Sequence, residues 1–252
     1  MQQSLTGKVA LVTGGSRGLG TEIAGQLADQ GADVAITYVA SSAKAEAVVE
    51  KLRAKGVRAV AIQSDQADTG AAQPLIKEVL AQLGQLDILV NNAAIAVQGK
   101  TVDDPELDTE NLDRQWRTNV MGPVAVTRAA AQVLSPEGRI IFIGSLLGGH
   151  VPFAGVADYA GTKAAIVGYA KGVARDLGAK NITVNVIQPG VMPTEMSREA
   201  LGETVPESLM DLHPIRRIAT LEEVAAMVTF LAGPQGGYIT GGVIDIAGGL
   251  SI

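Results

Sequence analysis

The sequence has 252 residues, of which 47% are hydrophobic, 18% are charged and 3% are aromatic. Its formal net charge of -6 at pH 7 argues against broad electrostatic binding of nucleic acid or of an anionic membrane surface. The lack of cysteine excludes disulfides, thiolate catalysis and cysteine-ligated zinc, and two well-separated histidines leave little material for a metal site, so we expect no metal.

The N-terminal segment, residues 1–8, lacks the apolar core of a signal peptide. No apolar run in the sequence approaches the ~18 residues that a spanning helix needs. We therefore expect a cytoplasmic protein without a membrane partner.

Strand-like and helix-like patterns alternate along the rest of the chain. Short apolar runs predict strands over Lys8–Thr13, Asp33–Tyr38, Arg58–Gln63, Leu86–Asn91, Arg139–Gly144, Ile182–Ile187 and Val243–Ile246. Helical spacing of apolar residues predicts helices from Leu19 up to Gly31 and over Ser41–Lys55, Thr69–Leu83, Leu112–Leu134, Ala157–Leu177 and Leu221–Leu231. This alternation predicts an α/β fold in which residues 1–252 form a single domain. Its core would be a doubly wound, seven-stranded parallel sheet with helices on both faces.

The segment 193–214 is the one long stretch without strong apolar periodicity. It is longer than a typical connection between two elements, and long loops often cover binding sites. We interpret it as a substrate lid or binding loop near the carboxyl ends of the strands, where ligands bind in folds of this kind.

A glycine-rich turn, with the spacing G-x-x-x-G-x-G, joins the first predicted strand to the first helix at Gly14, Gly18 and Gly20. Small residues here let the backbone approach a pyrophosphate at the positive end of the helix. The second strand is followed by no acid that could bind the 2′-hydroxyl of an adenosine ribose. Instead, donors and positive charge suited to a 2′-phosphate are supplied by Arg17, Ser41, Ser42 and Lys44. The pattern favours NADP(H) over NAD(H).

Tyr159 and Lys163 are four residues apart on a predicted helix, so their side chains share one face. A free phenol titrates near pH ~10, and a neighbouring ammonium lowers such a pKa. We therefore expect Lys163 to lower the pKa of Tyr159 and to make the phenol an acid or base. Ser145 follows a strand, so its hydroxyl is expected at the carboxyl edge of the sheet, within reach of a substrate carbonyl.

The ordered motifs resemble the short-chain dehydrogenase/reductase family over nearly the whole chain. They are the glycine turn, the run from Asn91 to Ala94, Asn119, Ser145, the Tyr159/Lys163 pair and Pro189-Gly190. The resemblance implies a single-domain Rossmann oxidoreductase, usually a tetramer, with the catalytic tetrad Asn119, Ser145, Tyr159 and Lys163. It further implies that Lys163 holds the nicotinamide ribose and that Asn119 holds a water linked to Lys163.

The same resemblance assigns a set of cofactor-binding residues. They are Gly14, Ser16, Arg17, Gly18, Leu19, Gly20, Tyr38, Ser41, Ser42, Asp65, Gln66, Asn92, Ala93, Ala94, Tyr159, Lys163, Pro189, Gly190, Val191 and Thr194. Asp65 is similar to a residue that contacts the adenine amino group, although a helix or turn cap is the alternative. Ala94 stands where a glycine is common in the family, which would matter if the position needed positive φ.

The predicted substrate site is largely apolar. Its candidate residues are Ser145, Leu147, His150, Val151, Tyr159, Met192 and Met196. These residues favour a small hydrophobic ketone or keto ester, reduced to a secondary alcohol by an NADPH-dependent carbonyl reductase. A homotetramer, or a dimer, is the expected assembly.

Two alternatives remain open. The pattern is similar to that of the 3-oxoacyl-[acyl-carrier-protein] reductases, which commonly carry basic residues at the end of the long helix to meet an acidic carrier. Here residues 129–137 contain no positive charge, although Arg175 on the next helix fits, so electrostatics argue against carrier binding. The other alternative is a nucleotide-binding sensor that keeps the fold without turnover.

Overall fold

The seven predicted strands are all present and form one parallel sheet. The computed structural model describes residues 3–202 and 204–252; Met1 and Gln2 of the N-terminal segment and Glu203 of the expected lid lie outside this range. The strands are β1 (Val9–Val12), β2 (Asp33–Tyr38), β3 (Ala59–Gln63), β4 (Ile88–Asn91), β5 (Arg139–Ile143), β6 (Thr183–Pro189) and β7 (Val243–Ile246). Their order in the sheet is β3-β2-β1-β4-β5-β6-β7, with every neighbouring pair parallel.

Helices cover both faces of this sheet. They are α1 (Gly18–Asp29), α2 (Ser42–Arg53), α3 (Ala72–Leu83), α4 (Thr109–Trp116), α5 (Gly122–Ala130), α6 (Ala157–Leu177), α7 (Glu195–Leu201), α8 (Glu207–Met210) and α9 (Leu221–Ala232). One apolar core joins the sheet to α1, α2 and α9, and a second joins its other face to α3, α5 and α6. The prediction of a doubly wound α/β sheet is confirmed.

Strand β1 shows the pattern of a central strand in a parallel sheet that is covered by helices on both faces. Val9 and Leu11 point into one core, whereas Ala10 and Val12 point into the other. Successive side chains of a strand alternate between faces, and a strand covered by helices on both faces is apolar at every position. All four residues of β1 are buried accordingly.

The order of the strands reverses between β1 and β4, which places a crevice at their carboxyl ends. Helix α1 begins there, directly after the glycine turn. A Cβ atom at Gly20 would lie 2.3 Å from the carbonyl oxygen of Gly14, so only glycine allows α1 to start this close to β1. The glycine turn is therefore fixed at the crevice by sterics.

The single long helix predicted over Leu112–Leu134 is wrong in detail. The structure has α4, then one widened π turn at Arg117–Met121, then α5, which ends at Ala130. Proline at the start of α5 has no amide hydrogen to donate to the preceding turn, which fits a break in the regular helix here. Because α5 ends early, Arg128 lies in its last turn.

The predicted lid over 193–214 is not without structure. It contains the short helices α7 and α8, and α7 begins after Thr194, whose hydroxyl accepts a hydrogen bond from the amide of Ser197 at 3.1 Å. Such short helices carry too few residues for an apolar period to be visible in the sequence.

Within the described ranges, no helix combines the length and the apolar character needed to cross a membrane. In the same part of the chain, His, Asp and Glu side chains form no group of three or more that could hold a metal ion.

Candidate active site

A cleft of about 700 Å³, open to solvent, lies beyond the carboxyl ends of β5 and β6. Residues from six regions line it: the segment after β4, the segment after β5, the start of α6, the end of β6 with the residues after it, the predicted lid, and the segment after β7. The lining consists of Ala96, Gln98, Ser145, Leu146, Leu147, His150, Pro152, Phe153, Tyr159, Pro189, Gly190, Val191, Met196, Ser197, Ala200, Leu201, Leu209 and Leu250. Most of these side chains are apolar, so the cleft suits a hydrophobic ligand.

Three of the predicted catalytic side chains meet at the inner end of this cleft. Tyr159 and Lys163 lie one turn apart on the buried face of α6. The side chains of Tyr159 and Ser145 lie next to each other in the cleft lining, and Ser145 Oγ accepts the amide of Leu147 at 3.2 Å. Lys163 Nζ lies 5.6 Å from the centroid of the Tyr159 ring and donates to the carbonyl oxygen of Ile143 at 3.0 Å. The grouping expected from sequence spacing is present.

The expected pKa of Tyr159 is wrong in direction. Burial raises the pKa of Tyr159 to about 12, and only the hydrogen bond from Ser145 acts in the opposite sense. Burial also lowers the pKa of Lys163 to about 8. A charged group loses its hydration when it is buried, so desolvation favours the neutral form of both side chains. Tyr159 is consequently protonated at neutral pH.

Asn119 lies on the widened π turn and fastens the neighbouring loop. Its amide accepts a hydrogen bond from Ile95 N at 2.9 Å and donates to Ile95 O at 2.9 Å. It also donates to Thr162 Oγ1 at 3.2 Å, and Thr162 donates to the Tyr159 carbonyl at 2.7 Å. Asn119 thus ties the segment after β4 to the helix that carries Tyr159 and Lys163.

The glycine turn is held by two threonines that the sequence analysis did not assign. The Gly14 amide donates to Thr37 Oγ1 at 2.9 Å. Thr13 Oγ1 accepts the amides of Asn92 and Ala93 at 3.0 and 3.1 Å. The Asn92 side chain donates to the carbonyls of Thr13 and Gly14 at 2.9 and 3.2 Å. Both threonines stand at or just beyond a strand end facing the crevice, and that position is the signal that could have found them.

Other expected cofactor residues lie around the same crevice. Ser16, Gly18 and Leu19 belong to the glycine turn and the start of α1, Tyr38 ends β2, and Ser41 is the N-cap residue of α2, followed by Ser42. Ala94 is not among the residues with positive φ, so its Cβ creates no backbone strain there.

Asp65 and Gln66 follow β3 on this side of the sheet. Asp65 accepts the amide of Ala67 at 2.9 Å and pairs with Arg114 at 3.0 Å, which is the turn-cap arrangement considered as the alternative for this residue. Gln66 is buried, and its Nε2 has no hydrogen-bond partner among the described residues. A buried amide of this kind needs an acceptor, so Gln66 is suited to contact a bound group.

The segment after β6 reaches into the cleft. Pro189 is the last residue of β6, and Gly190 N donates to Ile246 O at 3.0 Å. Val191 O accepts the amide of Ala219 at 3.0 Å. These backbone bonds fix Pro189, Gly190 and Val191 along the cleft wall.

The structure divides the predicted substrate residues into two groups. Ser145, Leu147, His150, Tyr159 and Met196 line the cleft. Val151 does not line it and is 55% exposed, while Met192 packs against the core on the α1 side of the sheet. Ala96, Gln98 and Leu250 line the cleft and were not identified from the sequence. The first two follow β4, so their position after a strand end was the available signal.

Arg17 contacts the predicted lid, residues 193–214. Its guanidinium forms an ion pair with Glu195, the first residue of α7, although the two are 178 positions apart in the chain. A Cβ atom at Gly18 would lie 3.9 Å from Thr194 Cγ2, so the lid also packs beside the turn itself. The lid therefore contacts both the glycine turn and the cleft.

Comparison with known proteins identifies full-length relatives. The family model described as "Enoyl-(Acyl carrier protein) reductase" matches residues 14–251. The 3-oxoacyl-[acyl-carrier-protein] reductase FabG of Staphylococcus aureus is 40% identical over 245 residues, covering 96% of this chain and 98% of that protein. The cyclic-di-GMP-binding biofilm dispersal mediator protein of Escherichia coli K12 is 38% identical, covering 97% of this chain and 98% of that protein.

A solved structure with the same architecture is that of a short chain dehydrogenase from Burkholderia cenocepacia in complex with NADP. It is 43% identical and superposes with a TM-score of 0.93, covering 99% of this chain and all of the other.

Proposed function

The chain belongs to the short-chain dehydrogenase/reductase family, and from this premise we propose that it is an NADPH-dependent carbonyl reductase. Its reaction would convert a ketone or keto ester into a secondary alcohol by reversible hydride transfer. The observation that carries the proposal is the placement of Tyr159 beside Ser145, with Lys163 one helical turn away, at the inner end of an apolar cleft.

The crevice fits a dinucleotide with a 2′-phosphate. A Cβ at Gly20 would collide with Gly14, so glycine is needed for the tight turn that brings the N-terminus of α1 to the crevice, and a helix N-terminus suits a pyrophosphate. No acidic residue lies in the first turn of α1 or of α2, so an anion at either end is not repelled. Arg17 and Lys44 add positive charge on this side. The similar Burkholderia protein was crystallised with NADP, which supports the same cofactor here.

NADPH, when bound, supplies the hydride. The hydroxyl of Ser145 would donate a hydrogen bond to the substrate oxygen and hold the carbonyl in place. Tyr159, kept protonated at neutral pH by its pKa of about 12, would donate its proton to the oxygen as charge develops there. Lys163, charged below its pKa of about 8, would stabilise the phenolate that remains.

The substrate we propose is a small hydrophobic carbonyl compound. Side chains on three sides of the cleft are apolar, including Leu147, Phe153, Met196 and Leu201. Burial of apolar surface contributes about 25 cal/mol per Å², so an apolar substituent adds affinity while the carbonyl meets Ser145 and Tyr159. The homotetramer or dimer expected from the family remains part of this proposal.

A second candidate, reduction of 3-oxoacyl groups on an acidic carrier protein, is favoured by one correction to the fold. Since α5 ends at Ala130, its last turn carries Arg128, and the last turn of α6 carries Arg175. Both residues are exposed. Arg128 therefore supplies the positive charge at the end of this helix that residues 129–137 lack. The 40% identical Staphylococcus relative is named for this activity.

An assay of NADPH oxidation separates these functions. We expect turnover of free hydrophobic ketones that changes little with salt. Turnover confined to carrier-linked substrate, lost at high salt and in an Arg128→Ala/Arg175→Ala variant, would replace the first proposal with the second. Absence of all turnover together with tight binding of another nucleotide would favour the sensor alternative, which the Escherichia coli relative's name suggests.

A further inference from the structure

Glu195 is placed where the lid meets the glycine turn. Its carboxylate is paired with Arg17, the residue that caps the N-terminus of α1. The side chains are 60% and 46% exposed for Arg17 and Glu195, so water surrounds the pair. The contact joins a cofactor-site residue to the element that covers the substrate cleft.

Two further cations act on the same carboxylate. The pKa of Glu195 is lowered first by the hydrogen bond from Arg17, then by the charge of Arg17, and further by Lys44 and Arg198. Lys44 lies on α2 and Arg198 on α7. Three cations from three elements are thus partly neutralised by one carboxylate, and the cluster retains a net positive charge that attracts anions.

We infer that Glu195 is a specificity-determining residue: its carboxylate occupies Arg17 as an internal anion, and the 2′-phosphate of NADPH displaces it on binding. The inference rests on the proposed function, because Arg17 has to be the residue that binds the 2′-phosphate. Its consequence is that the lid helix α7 competes with NADPH for Arg17 and does not compete with NADH, which has no 2′-phosphate.

The ion pair between Arg17 and Glu195 has to be weak if the 2′-phosphate of NADPH is to displace the carboxylate. Exposed ion pairs are weak, and removing one changes an equilibrium by about two- to fivefold. A phosphate monoester carries about -1.5 to -2 charges at pH 7 and accepts bidentate hydrogen bonds from arginine, so it outcompetes a single carboxylate. Glu195 can therefore hold Arg17 without preventing NADPH from binding.

A purely local role for Glu195 makes a different prediction. An acid in the first turn of a helix favours that helix through the helix dipole, and Glu195 is in the first turn of α7. Loss of that effect would loosen α7 and alter binding of NADPH and NADH alike. Measuring the binding of both NADPH and NADH therefore distinguishes competition for Arg17 from a local effect on α7.

The test compares Glu195→Gln with Glu199→Gln, which removes the same charge from an exposed residue of the same helix. Dissociation constants for NADPH, NADH and adenosine 2′,5′-bisphosphate are measured by titration calorimetry at low salt. We expect Glu195→Gln to tighten NADPH and the bisphosphate by about two- to fivefold, with less change for NADH and none in the Glu199 variant. Unchanged or weaker NADPH binding, or equal changes for both cofactors, would overturn the inference.

A double-mutant cycle with Arg17→Ala completes the test. In the Arg17→Ala background, Glu195→Gln should no longer tighten NADPH; an undiminished effect there would contradict the competition. If Arg17→Ala weakens NADPH and NADH equally, the phosphate assignment in the proposed function fails. If it selectively weakens NADPH while Glu195→Gln has no effect, only the inference about Glu195 fails.

Discussion

The site contains two pairs of polar side chains in which pKa values respond to their surroundings in opposite ways. Tyr159 and Lys163 are buried on α6, and burial outweighs the neighbouring group: the pKa of Tyr159 rises to about 12 and that of Lys163 falls to about 8. Arg17 and Glu195 are exposed, and the partner outweighs burial: the pKa of Glu195 is lowered by Arg17. The solvent around a pair, more than its members, decides which effect dominates.

This difference suggests that the buried and the exposed contact have different roles. The buried contact lies on the packed face of α6, where Lys163 is held by the carbonyl oxygen of Ile143, and it suits chemistry that needs preorganised groups. The exposed contact is weak and exchangeable and suits selection among ligands. Substitutions of Tyr159 and Lys163 should accordingly have larger effects than substitutions of Arg17 and Glu195.

The largest effect is expected for Tyr159→Phe, which removes the proton donor and keeps the ring. General acid catalysis contributes about 10²- to 10⁴-fold, so kcat for ketone reduction should fall by that factor while the Kd for NADPH is unchanged. Steady-state kinetics and NADPH titration measure the two quantities. A residual rate within tenfold of the parent enzyme would show that the proton comes from another group.

Asn119→Ala should have the next largest effect, which is a loss of stability of the folded protein. It leaves the amide and carbonyl of Ile95 without their side-chain partner, and unsatisfied buried groups cost about 1 to 3 kcal/mol each. Urea denaturation should show this loss in the free energy of unfolding. Asn111→Ala, on the exposed face of α4, is the control and should stay within about 0.5 kcal/mol. Equal losses in both variants would argue against Asn119 as the fastening point.

The pH dependence of reduction tests the buried pair directly. Lys163 is charged below its pKa of about 8 and loses its proton as the pH rises through that value, while Tyr159 stays protonated to about 12. The rate of reduction at saturating NADPH should therefore be constant below pH 8 and fall about tenfold per pH unit above it. A rate that rises between pH 8 and 10 would indicate that ionised Tyr159 is the active form.

The smallest effect is expected at the exposed rim of the cleft. Met196→Ala shortens an apolar side chain of the lid and should raise KM for a bulky ketone about threefold, since each buried methylene contributes about 0.8 kcal/mol and Met196 is only half-buried. Val151→Ala is the matched control, because Val151 lies outside the cleft, and its KM should not change. A larger effect at Val151 would mean that the lid rearranges around the substrate.

The fold was largely predictable because its signals are local. Each strand is a short apolar run, and each long helix has an apolar period, so all seven strands were located from the sequence. The division of Leu112–Leu134 had a sequence signal in Pro123, which lies inside the predicted helix, but the widened turn before it is not visible in the apolar period.

The grouping of Ser145, Tyr159 and Lys163 was predictable from the motif order, but the direction of the Tyr159 pKa was not. The direction of the Tyr159 pKa depends on how completely the helix face is buried, which spacing does not reveal. Arg17 was predicted from the sequence to bind a phosphate, and that remains a prediction. Its contact with Glu195 joins residues 178 positions apart and could be found only in the folded chain.

The π turn at Arg117–Met121 has a geometric consequence for the whole site. A regular helix advances by about 100° per residue, so a single extra residue shifts the angular phase of everything before it against everything after it. Gln115, whose Oε1 accepts the Val97 amide, and Asn119, which bonds to Ile95, are four residues apart and hold the same loop from one helical stretch. The extra residue therefore sets the angle at which α5 continues from α4, while the loop after β4 stays bonded to the helical stretch at and before that change of phase.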